Sequence, residues 1–450
     1  MKKIIQVFMI LLLVSTIFLA TGCGKSKLDE NGVTEVTIWI MPNSLEPIND
    51  LEKVLEGFHK THPGIRVKIT SLDWGAAWVR ITTAAVSGDA PDIVQLGTTW
   101  VGAISSMGAL YDMSAEVAEV GGPAHFLSSS WRTSGIEGTN QVTAIPWFVD
   151  ARAMYYRTDV FNRLGLTKKD LATWESFDKT LAVIKKANLK IDGKLVQPLG
   201  IPGKNDWNVV HNLAPWIWNA GGSFLREDNF QKSNLASDEV ATGLDYYIGL
   251  VTKGYVSHTC LEKNTSQVEN DFNNGAFAII FDGSNELRGL TTSPEQGGAS
   301  DTYVAKRFDI APYPEGPKGK STFVGGSNLT IFKSSKNKKE AWEVIKYLIS
   351  KEAQVEYSKR SGFMPSVVDA FEDPYFTEDN RRAVYKEAVK FGRAYPTVPS
   401  WGLIEPILAR RFGIMWDYVL ESKADFNMTD LKKLLKLADK ETSSILERNE

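Results

Sequence analysis

VTIWI at residues 36–40 is followed by IRVKI at 65–69 and DIVQL at 92–96, three apolar runs that predict buried strands. Between them, residues 46–62 and 76–86 repeat apolar side chains at helical spacing, which predicts two amphipathic helices. A strand–helix–strand–helix–strand order predicts a parallel sheet with helices packed on its faces. We therefore expect an α/β fold whose ligand lies beyond the carboxyl ends of the strands.

Length and composition indicate a soluble protein with more than one domain. The chain has 450 residues, of which 43% are hydrophobic and 23% are charged. These values exclude a disordered, collagen-like or multi-span membrane protein. Lysine and arginine total 51 against 54 acidic residues, so the net charge of −3 gives no reason to expect a nucleic-acid partner.

Residues 1–22 have the pattern of a secretory signal peptide, with Lys2 and Lys3 before an apolar run. The sequence LATGC at 19–23 resembles a bacterial lipobox, in which the cysteine is lipidated. The resemblance implies a lipid on Cys23, a linker over residues 23–34 and a location on the outer face of the cell membrane. An ordinary signal peptide or an uncleaved anchor helix remains the alternative.

The cysteine count gives no basis for an internal disulfide. The chain has two cysteines, Cys23 and Cys260. If Cys23 carries the lipid, Cys260 has no partner within the chain, and the fold depends on core packing instead.

Later segments continue the alternation of helices and strands. Residues 173–187, 337–350 and 428–446 have the apolar periodicity of helices, and residues 277–281 predict another buried strand. Thr173 is the expected N-cap of the first of these helices.

Signatures of catalytic centres are missing from the sequence. The close pair His59 and His62 lacks the glutamate and the spacing of a zinc-binding helix. The stretch GKST at 319–322 looks like the end of a phosphate loop, but Pro314 stands where the first glycine belongs. We therefore expect no metal, no cofactor and no enzymatic activity.

SGDAPDIV at 87–94, followed by Trp100 and by GALYD at 108–112, is similar to the signature of family 1 extracellular solute-binding proteins. These are the sugar receptors of bacterial ABC importers, of the maltose-binding type. Further motifs follow in the family's order at residues 145–146, 154–156, 173–177, 220–222, 272–275, 325–326 and 335–341. The resemblance spans residues 35 to 420.

This resemblance implies a two-lobe α/β fold of the periplasmic-binding-protein type II, with three hinge crossings and the ligand between the lobes. Residues 35–149 with 326–366 would form lobe one. Residues 150–325 with 367–450 would form lobe two. The implied partners are a carbohydrate and the permease of an ABC transporter with its ATPase, and we expect a monomer.

The predicted ligand residues are polar side chains, glycine and tryptophans at strand ends or at positions that match ligand contacts of the family. They are Asn43, Ser44, Thr98, Thr99, Trp100, Trp147, Asp150, Trp207, Asn208, His211, Asp282, Ser284, Asn285, Gly326, Ser327 and Trp401. Indole faces suit the C–H faces of a sugar, and polar groups suit its hydroxyls.

Several of these assignments have an alternative. Asp150 matches an acidic ligand contact of the family, or it caps a helix or pairs with Arg152. Trp100 lies at the mouth of the site or in a helix core, and Trp147 stacks on the ligand or packs at the hinge. Three further tryptophans belong either to the core or to the cleft, namely Trp39, Trp216 and Trp218.

The leading hypothesis is a lipid-anchored receptor that binds an oligosaccharide and passes it to a permease without changing it. One alternative keeps the fold but binds a polyamine or a phosphate ester. Another is a surface-anchored enzyme that acts on polysaccharide.

Overall fold

The structure is a computed structural model that describes residues 32–203, 206, 208–422 and 426–448. The predicted signal peptide, Cys23 and all but the last three residues of the predicted linker lie outside the described residues. Trp207, one of the predicted ligand residues, lies outside them as well.

The strands are short and spread along the whole chain. They are β1 (Thr34–Ile40), β2 (Ile65–Ser71), β3 (Ile93–Gly97), β4 (Ile145–Ala151), β5 (Ala153–Arg157), β6 (Lys190–Ile191), β7 (Lys194–Leu195), β8 (Gln197–Gly200), β9 (Leu225–Arg226), β10 (Asn229–Ser233), β11 (Phe277–Asp282), β12 (Phe308–Ala311), β13 (Thr322–Ile331), β14 (Met364–Pro365) and β15 (Gly392–Arg393).

Helices connect the strands and form the end of the chain. They are α1 (Pro47–Thr61), α2 (Trp74–Ser87), α3 (Val101–Ser106), α4 (Ser128–Trp131), α5 (Thr158–Leu164), α6 (Trp174–Ala187), α7 (Val209–Asn219), α8 (Asp238–Thr252), α9 (Thr265–Asn273), α10 (Ser284–Thr291), α11 (Lys338–Leu348), α12 (Lys351–Ser361), α13 (Pro374–Thr377), α14 (Asn380–Ala388), α15 (Trp401–Ser422) and α16 (Met428–Arg448).

The first sheet has the strand order β14-β4-β13-β3-β1-β2, and β15 pairs with β13. Strand β1 pairs in parallel with β2 and β3, as predicted, because a helix carries the chain from each strand to the next. Strand β13 runs antiparallel to both β3 and β4. The sheet is therefore mixed, whereas the first three strands alone predicted a parallel one.

Alternate residues of β1 anchor the core of this sheet. Val36, Ile38 and Ile40 are fully buried. Helix α1 begins at Pro47 and packs a buried stripe of Leu51, Val54, Leu55 and Phe58 against the first lobe. The five elements predicted from residues 36–96 are thus confirmed in type, with ends that differ by one or two residues.

The second sheet has the strand order β12-β5-β11-β8. Strand β11 is buried at every residue and pairs with β5 and β8. Helix α7 is buried along its whole length, so Trp216 and Trp218 belong to the core of this lobe. The Thr173 cap is confirmed, because its hydroxyl accepts a hydrogen bond from the Ser176 amide at 3.2 Å.

Two links carry the chain from a strand of one sheet to a strand of the other. Only Arg152 separates β4 of the first sheet from β5 of the second. The second link joins β12 to β13. After β14 the chain forms α14, which contacts β5 and β12 of the second sheet, and then returns to the first sheet at β15. The predicted third crossing stays a prediction. Strand β4 pairs within the first sheet as far as Ala151, opposite Val324. The predicted residue limits of the two lobes stay a prediction.

Across the part of the chain that the structure describes, no helix combines the length and apolar character needed to span a bilayer. The same residues contain no group of histidine, cysteine and acidic side chains arranged to hold a metal ion.

Candidate functional site

Three tryptophans gather at one end of the first sheet. The indole of Trp100 lies 5.5 Å from the ring of Trp74 and 5.5 Å from that of Trp78, edge to face in both cases. Trp74 is 40% exposed, so this group presents aromatic surface to solvent. We call Trp74, Trp78 and Trp100 the tryptophan edge.

Local sequence explains why the tryptophan edge forms. Asp73 caps α2 by accepting a hydrogen bond from the Gly75 amide at 2.8 Å, so Trp74 begins the helix directly after β2. Trp100 follows β3, whose last residue, Gly97, has no side chain to separate the rings. The carboxyl ends of β2 and β3 therefore bring the indoles to one edge of the sheet.

Polar side chains face each other at the crossing from β4 to β5. The Arg152 guanidinium lies 3.2 Å from the Asp150 carboxylate and 3.6 Å from that of Asp282. It also donates a 3.0 Å hydrogen bond to the Asn208 side-chain oxygen. We call Asp150, Arg152, Asn208, Asp282 and Asn285 the polar wall.

Burial and charge together set the ionisation of the polar wall. Burial acts to lower the pKa of Arg152, but the carboxylates of Asp150 and Asp282 hold that pKa above its ordinary value. Burial raises the pKa of Asp282 well above its usual range, and the nearby Glu269 carboxyl raises it further. Arg152 is therefore a permanent cation that is already engaged by acidic side chains.

Gly283 lies next to two side-chain oxygens of the polar wall. Its carbonyl accepts hydrogen bonds from the hydroxyls of Tyr155 at 2.6 Å and Tyr385 at 3.0 Å, which fix its position. A Cβ on Gly283 would lie 2.5 Å from the Oδ1 atoms of both Asp150 and Asn285. The two oxygens thus converge over a residue without a side chain.

Glu405 of α15 lies between Thr99, the residue before Trp100, and His211 of α7. Its carboxyl is hydrogen-bonded to the Thr99 hydroxyl, and Oε1 lies 3.9 Å from Nε2 of His211. Burial raises the pKa of Glu405 to about 7. Burial, aided by the charge of Arg152, lowers the pKa of His211 to about 3, so the pair is not an ion pair at neutral pH.

Two further contacts join segments that are far apart in the sequence. The ring of Trp78 lies 3.2 Å from where a Cβ on Gly402 of α15 would stand. The exposed Leu45 side chain occupies the space that a Cβ on Gly297 would need. The tryptophan edge thus follows strands of the first sheet, whereas the polar wall lies at the crossing to the second sheet.

Residues 44–355 match the family model of the bacterial extracellular solute-binding proteins. This chain belongs to that family. The structure of the sugar-binding protein MalE from Xanthomonas citri is similar, with a TM-score of 0.76 and 22% identity over 92% of this chain and 98% of that one. The two-lobe α/β fold predicted from the sequence is thus confirmed.

Two relatives of this solute-binding protein match most of its length. The diacetylchitobiose binding protein DasA of Streptomyces coelicolor is 24% identical over 374 residues, which cover 82% of this chain and 81% of DasA. The multiple sugar-binding protein of Streptococcus mutans is 24% identical over 381 residues, covering 80% and 81%. The family and the fold are those of extracytoplasmic receptors rather than enzymes.

Several predicted ligand residues of this solute-binding protein belong to the tryptophan edge or the polar wall, or adjoin them. Thr99 and Trp100 lie on the tryptophan-edge side, and Asp150, Asn208 and Asn285 lie in the polar wall. Asp282 and Ser284 are 3% and 1% exposed, so they stand behind Gly283 rather than at the surface. Thr98 is also buried, in the turn after β3.

Asn43 and Ser327 belong to a buried network around Gln95. The Asn43 amide donates to Gln95 and to the Tyr357 hydroxyl, each at 2.9 Å. Gln95 donates in turn to Asn43 at 3.0 Å and to the Ser327 hydroxyl at 2.8 Å. Both amide hydrogens of Asn43 are therefore already used inside the first lobe.

Two predicted ligand tryptophans are fully buried. Trp147 stacks on Tyr357 at 4.5 Å inside the first lobe, which is the packing alternative. Trp401 stacks on Tyr395 at 4.6 Å and packs against Phe224. Neither indole is exposed to the cleft in this structure.

The remaining predicted residues have structural partners. The Ser44 hydroxyl donates to Asp50 at 2.6 Å. Gly326 has a φ of +121°, and a Cβ there would stand 2.1 Å from the Phe148 carbonyl oxygen, so the neighbouring strand requires the glycine. His211 stacks on Phe323 at 4.2 Å, and its Nδ1 lies 2.8 Å from the Tyr395 hydroxyl.

Sequence analysis missed Trp74, Trp78 and Glu405. Trp74 lies three residues after β2, at a strand end of the kind that drew attention to Asn43 and Trp100, so the same rule could have found it. Trp78 follows one helical turn later. Glu405 lies inside a long helix, and no local sequence pattern marks it.

Proposed function

We propose that this protein is a carbohydrate receptor whose ligand lies between the tryptophan edge and the polar wall. The observation that supports this proposal is exposed indole surface at the strand ends of the first sheet together with convergent acceptor oxygens at the crossing to the second sheet. A sugar presents both complementary surfaces, because its ring has apolar C–H faces and a rim of hydroxyls. Each hydrogen bond to a carboxylate such as Asp150 contributes roughly 1.5–3 kcal/mol.

Two relatives that match most of the chain support a sugar ligand. DasA is named for diacetylchitobiose, and the Streptococcus mutans relative is named for multiple sugars. A phosphate ester would favour an uncompensated cation at the cleft, whereas Arg152 is flanked by two carboxylates.

Anchoring and delivery complete the proposed function. The lipobox-like LATGC at 19–23 supports a lipid on Cys23, and two acyl chains hold a protein stably on a membrane. The monomer would close about its crossings on the sugar and present the closed form to an ABC permease. The proposed lobes are 35–149 with 326–366, and 150–325 with 367–450.

Calorimetric titration of the mature chain with a panel of mono- and oligosaccharides tests the proposal. We expect at least one member to bind with one-to-one stoichiometry. Trp100→Ala should weaken that binding at least tenfold, because it removes the central ring of the tryptophan edge. Absence of heat with every sugar would refute the proposal.

Trp131→Ala provides a matched control for the loss of an indole. Trp131 stacks on Phe126 at 5.5 Å in the first lobe, outside the tryptophan edge. Its replacement is expected to leave the affinity unchanged. Equal losses in the two variants would mean that the effect of Trp100 is not specific to the cleft.

A further inference from the structure

Resting on the proposed function, we propose that the carbohydrate carries a protonated amine that binds over Gly283, held by the oxygens of Asp150 and Asn285. Neither the fold nor the family defines the charge of the ligand. The basis for a cationic ligand is the geometry and the charge of the polar wall.

Two acceptor oxygens point at the same small volume. The Oδ1 atoms of Asp150 and Asn285 each lie 2.5 Å from the place of a Cβ on Gly283, so they lie within about 5 Å of each other. Asp150 Oδ1 is buried and has no hydrogen-bond partner among the residues that the structure describes. A group with several donors satisfies two such oxygens at once, and an ammonium has three.

A second unpartnered group lies beside this point. Ser284 directly follows Gly283 and is 1% exposed, and its hydroxyl likewise lacks a hydrogen-bond partner within the described part of the chain. Buried polar groups normally have partners, since leaving one unpaired costs about 1–3 kcal/mol. The unpaired Asp150 oxygen is an acceptor and the Ser284 hydroxyl can both donate and accept, so a polar ligand group that carries donors can satisfy both.

The charges around Gly283 favour a cation. Asp150 and Asp282 both contact Arg152, and Glu269 lies close enough to Asp282 to share a hydrogen bond with it. The hydrogen bond between the carboxyls of Asp282 and Glu269 holds one proton, so this pair carries a single negative charge, and the Asp150 carboxylate adds a second beside one guanidinium. A cationic amine at Asp150 reduces this imbalance, whereas a neutral hydroxyl does not.

The tryptophan edge is compatible with such a ligand. Indole faces attract a cation by roughly 0.5–2 kcal/mol and also pack on the C–H face of the same sugar ring. An amino sugar therefore gains on both sides of the cleft. A linear amine without a ring gains little from the apolar packing.

Matched sugar pairs that differ only in the amine test the inference. Calorimetry on the mature chain would compare chitobiose with cellobiose, glucosamine with glucose and galactosamine with galactose, and would include N,N′-diacetylchitobiose, in which the amines are acylated. We expect at least one amino sugar to bind at least tenfold more tightly than its neutral partner. Neutral partners that bind as tightly or more tightly would overturn the inference and leave the proposed receptor function intact.

Asp150→Asn separates the charge from the shape of the site. We expect it to reduce amino-sugar affinity at least tenfold while changing neutral-sugar affinity less than threefold. Asp309→Asn, which alters the hydrogen bond to Tyr156 in the second sheet, is the control for loss of a carboxylate. An equal loss of affinity for charged and neutral sugars in Asp150→Asn would overturn the inference. If the wild-type protein binds no sugar at all, the proposed function is refuted as well.

Discussion

Asp150 and Arg152 form an ion pair at 3.2 Å across the point where the chain passes from one sheet to the other. Both side chains are largely buried, with 15% and 5% exposed. Arg152 also lies 3.6 Å from Asp282 of β11, so a single guanidinium links the first crossing to the second lobe. The polar wall therefore has a structural part as well as a proposed ligand-binding part.

Arg152→Ala should destabilise the protein by about 3–5 kcal/mol, because it leaves buried carboxylates without their counter-charge. Chemical denaturation monitored by circular dichroism gives this free energy of unfolding. Arg226→Ala removes an exposed pair with Asp228, and exposed pairs contribute little. Similar losses in the two variants would contradict the assignment of Arg152 as a buried anchor.

Glu405→Gln should increase stability at pH 8 and have little effect at pH 4.5. Burial raises the pKa of Glu405 from its ordinary value of 4.5 to about 7, so the folded protein binds the extra proton between these values. The contribution of the protonated Glu405 carboxyl to the free energy of unfolding is fully present below pH 4.5. It is lost as the pH rises through 7. At about 1.4 kcal/mol per pKa unit, the difference reaches at most about 3 kcal/mol.

Thermal unfolding of both proteins from pH 4 to 8 measures this difference. In the folded protein, neither neighbour of Glu405 changes its charge over this pH range. Thr99 is neutral, and the pKa of His211 is lowered to about 3. Glu421→Gln, on an exposed part of α15, is the matched control. A constant gap between wild type and Glu405→Gln across this range would contradict the prediction.

Gly326→Ala should cost more stability than Gly319→Ala. Both residues have positive φ, at +121° and +131°, so alanine is strained at either position by about 1–3 kcal/mol. Only at Gly326 would the new Cβ also collide with the Phe148 carbonyl, since nothing lies within 4 Å at Gly319. The denaturant midpoints of the two variants separate the cost of the collision from the cost of the backbone strain. Equal midpoints would show that the collision with the Phe148 carbonyl costs no additional stability.

Cys23→Ser should release the protein from bacterial membranes into the soluble extracytoplasmic fraction. Labelling with a radioactive fatty acid should mark the wild-type chain and not the variant, because the thiol carries the proposed lipid. Cys260→Ser keeps Cys23 and should keep the label. Label retained in Cys23→Ser would exclude this cysteine as the anchor.

The first lobe was predictable because its signals are local. Residues 36–96 alternate two periodicities, and helix α6 has a capping pair at Thr173 and Ser176. The antiparallel pairing of β13 with β3 was not predictable, because it forms only after the chain has passed through the second sheet and come back to the first. No spacing within residues 36–96 contains that information.

The candidate site was predictable only in part. Strand ends identified Trp100, and the resemblance identified Asp150. The same reasoning also selected Asn43, whose amide is used by Gln95 and Tyr357, and Trp147, which is buried against Tyr357. A position directly after a strand predicts at which edge of the sheet a residue lies. It does not predict the partners that enclose the side chain, because these come from distant parts of the chain.

A crystal structure of the protein with its tightest-binding sugar tests the central claim most directly. The account predicts that a sugar ring lies about 4 Å from the indole of Trp100 and about 3 Å from Asp150 Oδ1, within one cleft. A sugar found instead in the surface groove beside Trp174 and Tyr246, with Trp100 and Asp150 untouched, would contradict it.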